Sequence, residues 1–332
     1  MTHTVLIHGA TGQTGREIVD GLIEDGSFTI AALVRPQSLE KPATQALKQR
    51  SVKLVVGDLE SQPVEEIAAL LDGYQTVISA VAAGAQLDQI KLVDAAAKAG
   101  TKRFIPCGFT TISPPGGVMR LLRGDKEQVH ERIWYHHLPY TIIDSGYWYQ
   151  ISFPRLPSGK VDYAALGESN TFVGNGDAPN LLIDKRDIGR LTARIIKDDR
   201  TLNKRVFLHG EVLTQEDIWV IIEGKSGEKV ETKHASHDDL LAKMHAARAN
   251  LRANPSDTMA RVAVWSAEYD VSKYVRRDNT PENARYLGYL DTKELYPDFR
   301  PITFTAFIDE LLAGKAQKLY QDQFEFLRKQ ES

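Results

Sequence analysis

The chain of 332 residues holds one cysteine, Cys107, so no internal disulfide can form and a reducing compartment suits it. No apolar run approaches the ~20 residues of a membrane-spanning helix. Charge of one sign is also scarce. The 41 Lys and Arg nearly balance 44 Asp and Glu, for a net charge of −3. That balance excludes an electrostatic case for nucleic acid or a membrane surface. Repeats and low-complexity tracts are absent. The first residues lead directly into an apolar strand pattern, so no secretory or transit signal is expected and the expected location is the cytoplasm. Histidines occur as His136-His137 and as His234 with His237, without a third and fourth ligand at zinc spacing, so no metal site is expected.

What the chain does have is a strand, turn and helix at its start. Val5-Leu6-Ile7 is an apolar run, Gly9-Ala10-Thr11-Gly12-Gln13-Thr14-Gly15 is a glycine-rich turn, and Ile18-Val19 with Leu22-Ile23 gives helical spacing. Glycines let the backbone approach a pyrophosphate, and the helix amino end offers free N–H groups. The spacing is G-x-x-G-x-x-G, a variant of the usual dinucleotide fingerprint. Further strands are expected at 28–34, 52–56, 75–80, 103–106 and 140–143, alternating with helices at about 64–71, 87–99 and 125–137. This pattern predicts an α/β fold: a doubly wound parallel sheet of the Rossmann type over residues 1–150. Residues 151–332 are expected to form a smaller α/β substrate lobe that also contributes to the sheet edge. There, strands are expected at 205–208 and 229–232, with helices at 214–224, 236–253 and 304–328.

The second strand ends in Val34-Arg35-Pro36. A carboxylate at this point would bind a ribose 2′-hydroxyl, whereas a guanidinium suits a 2′-phosphate. Arg35 therefore points to NADPH rather than NADH. Thr11, Gln13 and Thr14 flank the same pocket, and Asp58 follows the third strand where an adenine contact is usual. Ligands of such sheets lie beyond the carboxyl ends of the strands, which places Ser79, Ala80 and Cys107 beside the cofactor. Cys107 reads as a small apolar filler ahead of a redox role.

A reductase needs a proton donor opposite the developing negative charge. The Tyr-x-x-x-Lys pair is not met, since Tyr135 precedes Pro139 and Tyr140 precedes Asp144 at that spacing. Lys126 remains the candidate, although a lysine between Asp125 and Glu127 is ordinarily solvated. Phe109, Met119, Tyr147, Trp148, Tyr149 and Phe153 fall on segments that converge toward the site. They line an aromatic substrate pocket or simply pack the protein together, and the sequence leaves both open.

The ordered set resembles the NmrA-like and isoflavone-reductase-like branch of the atypical short-chain dehydrogenases. It comprises the loop at 9–15, Val34-Arg35-Pro36, Gly57-Asp58, Ser79-Ala80-Val81, Arg103-Phe104-Ile105-Pro106, Lys126, Leu138-Pro139-Tyr140-Thr141, Gly174-Asn175-Gly176, Asp187-Ile188-Gly189 and Leu295-Tyr296-Pro297-Asp298. The resemblance implies an NADPH-dependent oxidoreductase of secondary metabolism with a lysine, here Lys126, assisting reduction of a small aromatic or conjugated ketone, enone or imine. One departure is that Pro106-Cys107-Gly108-Phe109-Thr110 stands where the plant reductases have a Pro-Ser-Glu-Phe-Gly-like stretch, so an acidic residue is missing. The same family also includes non-catalytic NADP(H)-sensing regulators of transcription factors, which is the alternative reading. A redox-neutral isomerase or cyclase is a third. The sequence leaves the oligomeric state open between monomer and homodimer.

Overall fold

Val5, Leu6 and Ile7 have no solvent-exposed surface, as expected of a strand covered on both faces. In the computed structural model, which describes residues 2–166 and 170–320, they lie in β1 (His3–His8). β1 is the centre of a parallel sheet completed by β2 (Phe28–Val34), β3 (Lys53–Val56), β4 (Thr76–Ser79) and β5 (Arg103–Ile105), in the order β3-β2-β1-β4-β5. Helices α1 (Gln13–Asp25), α2 (Pro42–Gln49), α3 (Val64–Leu71), α4 (Gln89–Lys98) and α5 (Arg120–Tyr135) connect these strands and lead to β6 (Thr141–Ser145). A parallel bridge from Phe104 to Tyr140 continues the sheet from β5 toward β6.

The chain then forms β7 (Tyr147–Trp148), β8 (Thr171–Val173), β9 (Asn180–Ile183), α6 (Lys185–Ile195), β10 (Lys204–Leu208), β11 (Glu211–Leu213), α7 (Gln215–Ser226) and β12 (Lys233–Ala235). After these come α8 (His237–Ala253), α9 (Thr258–Asp270), α10 (Pro281–Tyr286), β13 (Tyr289–Asp291), α11 (Thr292–Leu295) and α12 (Phe304–Leu312). A single π-helical turn, Val271–Val275, follows α9 directly.

Two compact units result. The first holds the residues through Ser145 together with Arg186–Leu208 and Pro281–Phe299. Its parallel set β13-β10-β6 draws two strands from the later segments. Leu6, Val77, Leu92, Phe104, Val129 and Ile133 are among its core residues. Helices α1 and α6 meet at glycines: a Cβ on Gly189 would stand 1.8 Å from the Glu17 carbonyl oxygen, so the contact admits no side chain. The second unit holds Gly146–Lys185, His209–Thr280 and the chain from Arg300 onward. It has a sheet β11-β9-β7 and a parallel pair β12-β8, with a core that includes Tyr149, Phe153, Trp219, Phe304 and Phe307.

The α/β architecture with a parallel central sheet is the one the sequence predicts. Several local expectations are corrected. Helix α5 starts at Arg120, a full turn ahead of the expected Asp125. Lys229–Thr232 is not a strand; β12 begins at Lys233 instead, because the Val230 side chain and backbone serve the turn after α7, where Val230 N–H bonds Glu223. Helix α12 ends at Leu312, with Gly314 at φ 73° closing it, so it does not run on toward Arg328. Positions 321–328 of that expectation lie outside the described residues. The expected helices at 214–224 and 236–253 are present, each opened by a capping box: Thr214 with Asp217, and Ser236 with Asp239.

Candidate active site

Glycine is obligatory at two points of the first loop. Gly9 has φ 86°, and a Cβ there would lie 2.5 Å from the Ala80 carbonyl oxygen. A Cβ on Gly15 would lie 2.1 Å from the Gly9 carbonyl oxygen. The loop is thus pressed against the end of β4, where the Ala80 N–H bonds the His8 carbonyl at 2.8 Å. Gly12 caps α1 in an extended conformation, and the first turn of α1 carries no acidic residue. The N–H groups of a first helical turn have no intrahelical acceptor, so this end presents donors and partial positive charge. Thr11, Gln13 and Thr14 are half-buried around it, and Arg16 reaches back to the Thr11 carbonyl at 3.3 Å. A tight glycine turn that admits no side chain at Gly9 or Gly15, leading into an uncontested helix amino end, fits a dinucleotide pyrophosphate.

Arg35 is exposed just beyond β2, and among the described residues its guanidinium has no ion-pair or hydrogen-bond partner. That leaves its fork open to a phosphate. His8, at the end of β1, was not singled out in the sequence. Burial, with Arg35 adding repulsion, pushes its pKa down to about 4, so it is neutral at physiological pH. Asp58 serves its own loop, where its carboxylate accepts from the Glu60 N–H at 3.1 Å and the Ser61 hydroxyl at 3.1 Å. Ser79 is buried, and its hydroxyl has no partner among the described residues.

The loop after β5 packs against β6. A Cβ on Gly108 would meet the Ile143 carbonyl oxygen at 2.2 Å, and the Phe109 N–H bonds that same oxygen at 2.6 Å. Phe109 adopts φ 48°, a left-handed conformation that a bulky residue takes only under constraint. Cys107 is buried. Its thiol donates to the Val81 carbonyl at 3.3 Å, which supports the filler reading. Met119 is buried at the start of α5.

Lys126 sits on the inner face of α5 and is buried, not solvated. Its Nζ donates to the Cys107 carbonyl at 2.5 Å, the Gly108 carbonyl at 2.9 Å and Gln86 Oε1 at 3.1 Å. Burial lowers its pKa, and the neighbouring Cys107 and Asp144 offset only part of that. Arg123, Glu127 and His130 share this face at helical spacing. Arg123 donates to Asp144 and Glu127, each at 2.7 Å, and to the Tyr289 hydroxyl at 2.9 Å. Burial alone would raise the Glu127 pKa, but the His130 hydrogen bond and the Arg123 and Arg205 charges outweigh it and hold the carboxyl at about 2. Composition gave no sign that Arg123, in a charged stretch, would be buried; its partners lie far along the chain.

The second unit contains its own cavity, of about 540 Å³. Tyr147 lines it. Tyr149 and Phe153 do not: both are core residues, Tyr149 edge-on to Phe304 and Phe153 tilted against Phe307. Trp148 is buried and stacks on Tyr320, with centroids 6.4 Å apart.

The NmrA-like family profile matches residues 1–327. The chain belongs to the NmrA-like family. Among NmrA-like relatives, asnovolin J 5′,6′-dehydrogenase of Aspergillus novofumigatus (strain IBT 16806) is 40% identical over 94% of this chain and 96% of its own length. A probable pinoresinol-lariciresinol reductase of Arabidopsis thaliana is 29% identical over 93% of this chain and 97% of its own. Leucoanthocyanidin reductase of Vitis vinifera, solved with NADPH, superposes with a TM-score of 0.76 at 23% identity, covering 93% of this NmrA-like chain and 99% of that one. None of the helices among the described residues is long and apolar enough to cross a membrane. No cluster of three or more His, Cys, Asp or Glu side chains suited to a metal ion occurs among them.

Proposed function

We propose that this protein is an NADPH-dependent oxidoreductase that reduces a small aromatic or conjugated ketone, enone or imine. The loop at Gly9, Thr11, Gly12, Gln13, Thr14 and Gly15 would hold the pyrophosphate, Arg35 the 2′-phosphate, and Ser79, Ala80 and Cys107 would border the nicotinamide end. NADPH, when bound, supplies the hydride. The observation that carries the reading is Lys126: a buried ammonium of lowered pKa at the carboxyl ends of the strands, an environment that makes it a readier proton donor than a solvated lysine. To act, its Nζ must exchange one of its carbonyl acceptors for the substrate oxygen, donating the proton or stabilising the oxyanion. The names of the relatives, reductases and a dehydrogenase, and the NADPH complex of a structural neighbour support this assignment.

A second reading is favoured by the same side chain. All three Nζ protons are already taken by Cys107, Gly108 and Gln86, so Lys126 also serves as a tie that holds the loop after β5. A protein using it only so would sense NADP(H) for a partner and turn nothing over.

The experiment is NADPH absorbance loss over a panel of aromatic ketones, enones and cyclic imines, with NADP⁺ binding measured in parallel. The enzyme reading expects turnover that Lys126→Ala lowers by about 10²- to 10⁴-fold while the cofactor still binds. Cofactor uptake with no turnover on the panel overturns it in favour of the sensor.

A further inference from the structure

The cavity of the second unit is lined about equally by polar groups and by apolar and aromatic side chains, the latter including Leu182, Ile218 and Trp219. Into this wall the π-helical turn after α9 places Lys273 and Tyr274. Single π turns inside helices recur at functional sites because the extra residue re-aims side chains. Lys273 is buried, yet its ammonium is poorly satisfied. Its hydrogen bond to the Tyr274 hydroxyl is long, at 3.5 Å, and the Asp270 carboxylate lies 3.8 Å away, outside hydrogen-bond reach. Asp270 is shared with Lys243, whose Nζ stands 3.9 Å from it. Aromatic faces supply the rest of the stabilisation: the Tyr147 ring centroid is 3.7 Å from Nζ and the Tyr274 centroid 4.7 Å. Of the two carboxylates in the lining, Asp239 is committed to the cap of α8, where it accepts from the backbone and hydroxyl of Ser236. A three-donor cation with one long hydrogen bond is therefore held at the cavity wall, with Asp270 divided between it and Lys243.

We infer that this cavity binds a ring-bearing small molecule with an anionic oxygen, a carboxylate or an acidic enol or phenol, with Lys273 as the counter-charge. The inference deepens the proposed function and rests on the reading of the second unit as the part that holds the substrate. The volume suits it, since small-molecule sites commonly occupy ~300–1,000 Å³ with a few polar groups fixing orientation. Tyr147 and Tyr274 hold the ammonium from the sides, and a ligand oxygen would supply the acceptor that Asp270 is too distant to be.

Calorimetric titration of the full chain saturated with NADPH tests this with two probes of the same ring and different charge, 2-naphthoate and neutral 2-naphthamide. The expected result is at least tenfold tighter binding of the acid, a preference lost in Lys273→Gln and largely kept in Lys273→Arg. Equal affinity for the two probes, binding of neither, or a preference that survives Lys273→Gln overturns the inference. The comparison of acid with amide on the unaltered chain decides the matter even where Lys273→Gln does not fold. Because it reads binding and not turnover, acid preference without any NADPH oxidation would sink only the reductase reading. Turnover of carbonyls with no acid preference would sink only the inference.

Discussion

The proposed choice of cofactor turns on one residue, Arg35. It stands exposed just beyond β2, and its guanidinium has no partner among the described residues. Its removal breaks no hydrogen bond or ion pair among them. Arg35→Ala is therefore expected to weaken NADPH binding by about 10- to 100-fold, the range of a charge-assisted hydrogen bond, and to leave NADH binding unchanged. Titration of both cofactors on wild type and variant checks it. A parallel loss for NADH would show that Arg35 supports the loop and not the phosphate. The need for glycine at Gly9 and Gly15 was legible from the sequence because it lies in the backbone of the loop itself, and Arg35 stands exposed beyond β2 as its charge suggests. Lys273 was not: its role depends on Tyr147, which is remote in sequence, and on a π turn that leaves no mark in hydrophobic periodicity.

At the scale of the element, α5 carries the buried polar face of the first unit. Glu127 is held at about 2 in the folded protein against an ordinary 4.5. A depressed carboxyl stabilises the fold fully above its unfolded pKa, and that contribution is lost as pH falls from 4.5 toward 2. The melting temperature is expected to drop through this window. In Glu127→Gln the protein is expected to be less stable at neutral pH, because Arg123 loses a partner, and its melting temperature is expected to fall less steeply below pH 4.5. Calorimetric melts at stepped pH distinguish this from a uniform offset. The element also shows where sequence reading reaches its limit. Its apolar positions Val129 and Ile133 reveal a helix, but the first turn, Arg120 to Arg123, reads as surface because two of its four residues are arginines. Only the tertiary partners of Arg123, Asp144 and Tyr289, explain its burial. The same holds for β12, whose register is set by pairing with β8 and not by local pattern. By contrast, the capping boxes at Thr214 and Ser236 are wholly local, since both partners lie within four residues.

For the whole molecule, a cofactor that binds only the folded state adds to stability by mass action. NADPH at a hundredfold excess over its Kd should contribute about 2.7 kcal/mol. At an unfolding entropy of about 2.1 cal/mol/K per residue, a chain of 332 residues shifts by roughly 1.4 °C per kcal/mol, a rise in Tm of about 4 °C. Gly15→Ala, whose Cβ would strike the Gly9 carbonyl oxygen at 2.1 Å, is expected to abolish the rise. Thermal melts with and without NADPH measure both. A rise that persists in Gly15→Ala would place the dinucleotide elsewhere. The parallel sheet was legible from the alternation of strands and helices. That the second half adds to the sheet edge was expected too, but which segments return, from Arg186 and again from Pro281, was not, since short apolar strands do not announce which neighbour they will find.

That return governs what happens on the ribosome. A polypeptide synthesised amino end first completes β6 at Ser145, but the strand that pairs with it, Lys204–Leu208, emerges only after all of Gly146–Lys185 has been made, and Tyr289–Asp291 comes later still. Until then a fully buried strand of the finished sheet is an open template for foreign pairing. Until Lys204–Leu208 emerges the edge of β6 stays unpaired, and a message cut short before the codons for residues 289–291 yields a protein that lacks the outer strand of this set.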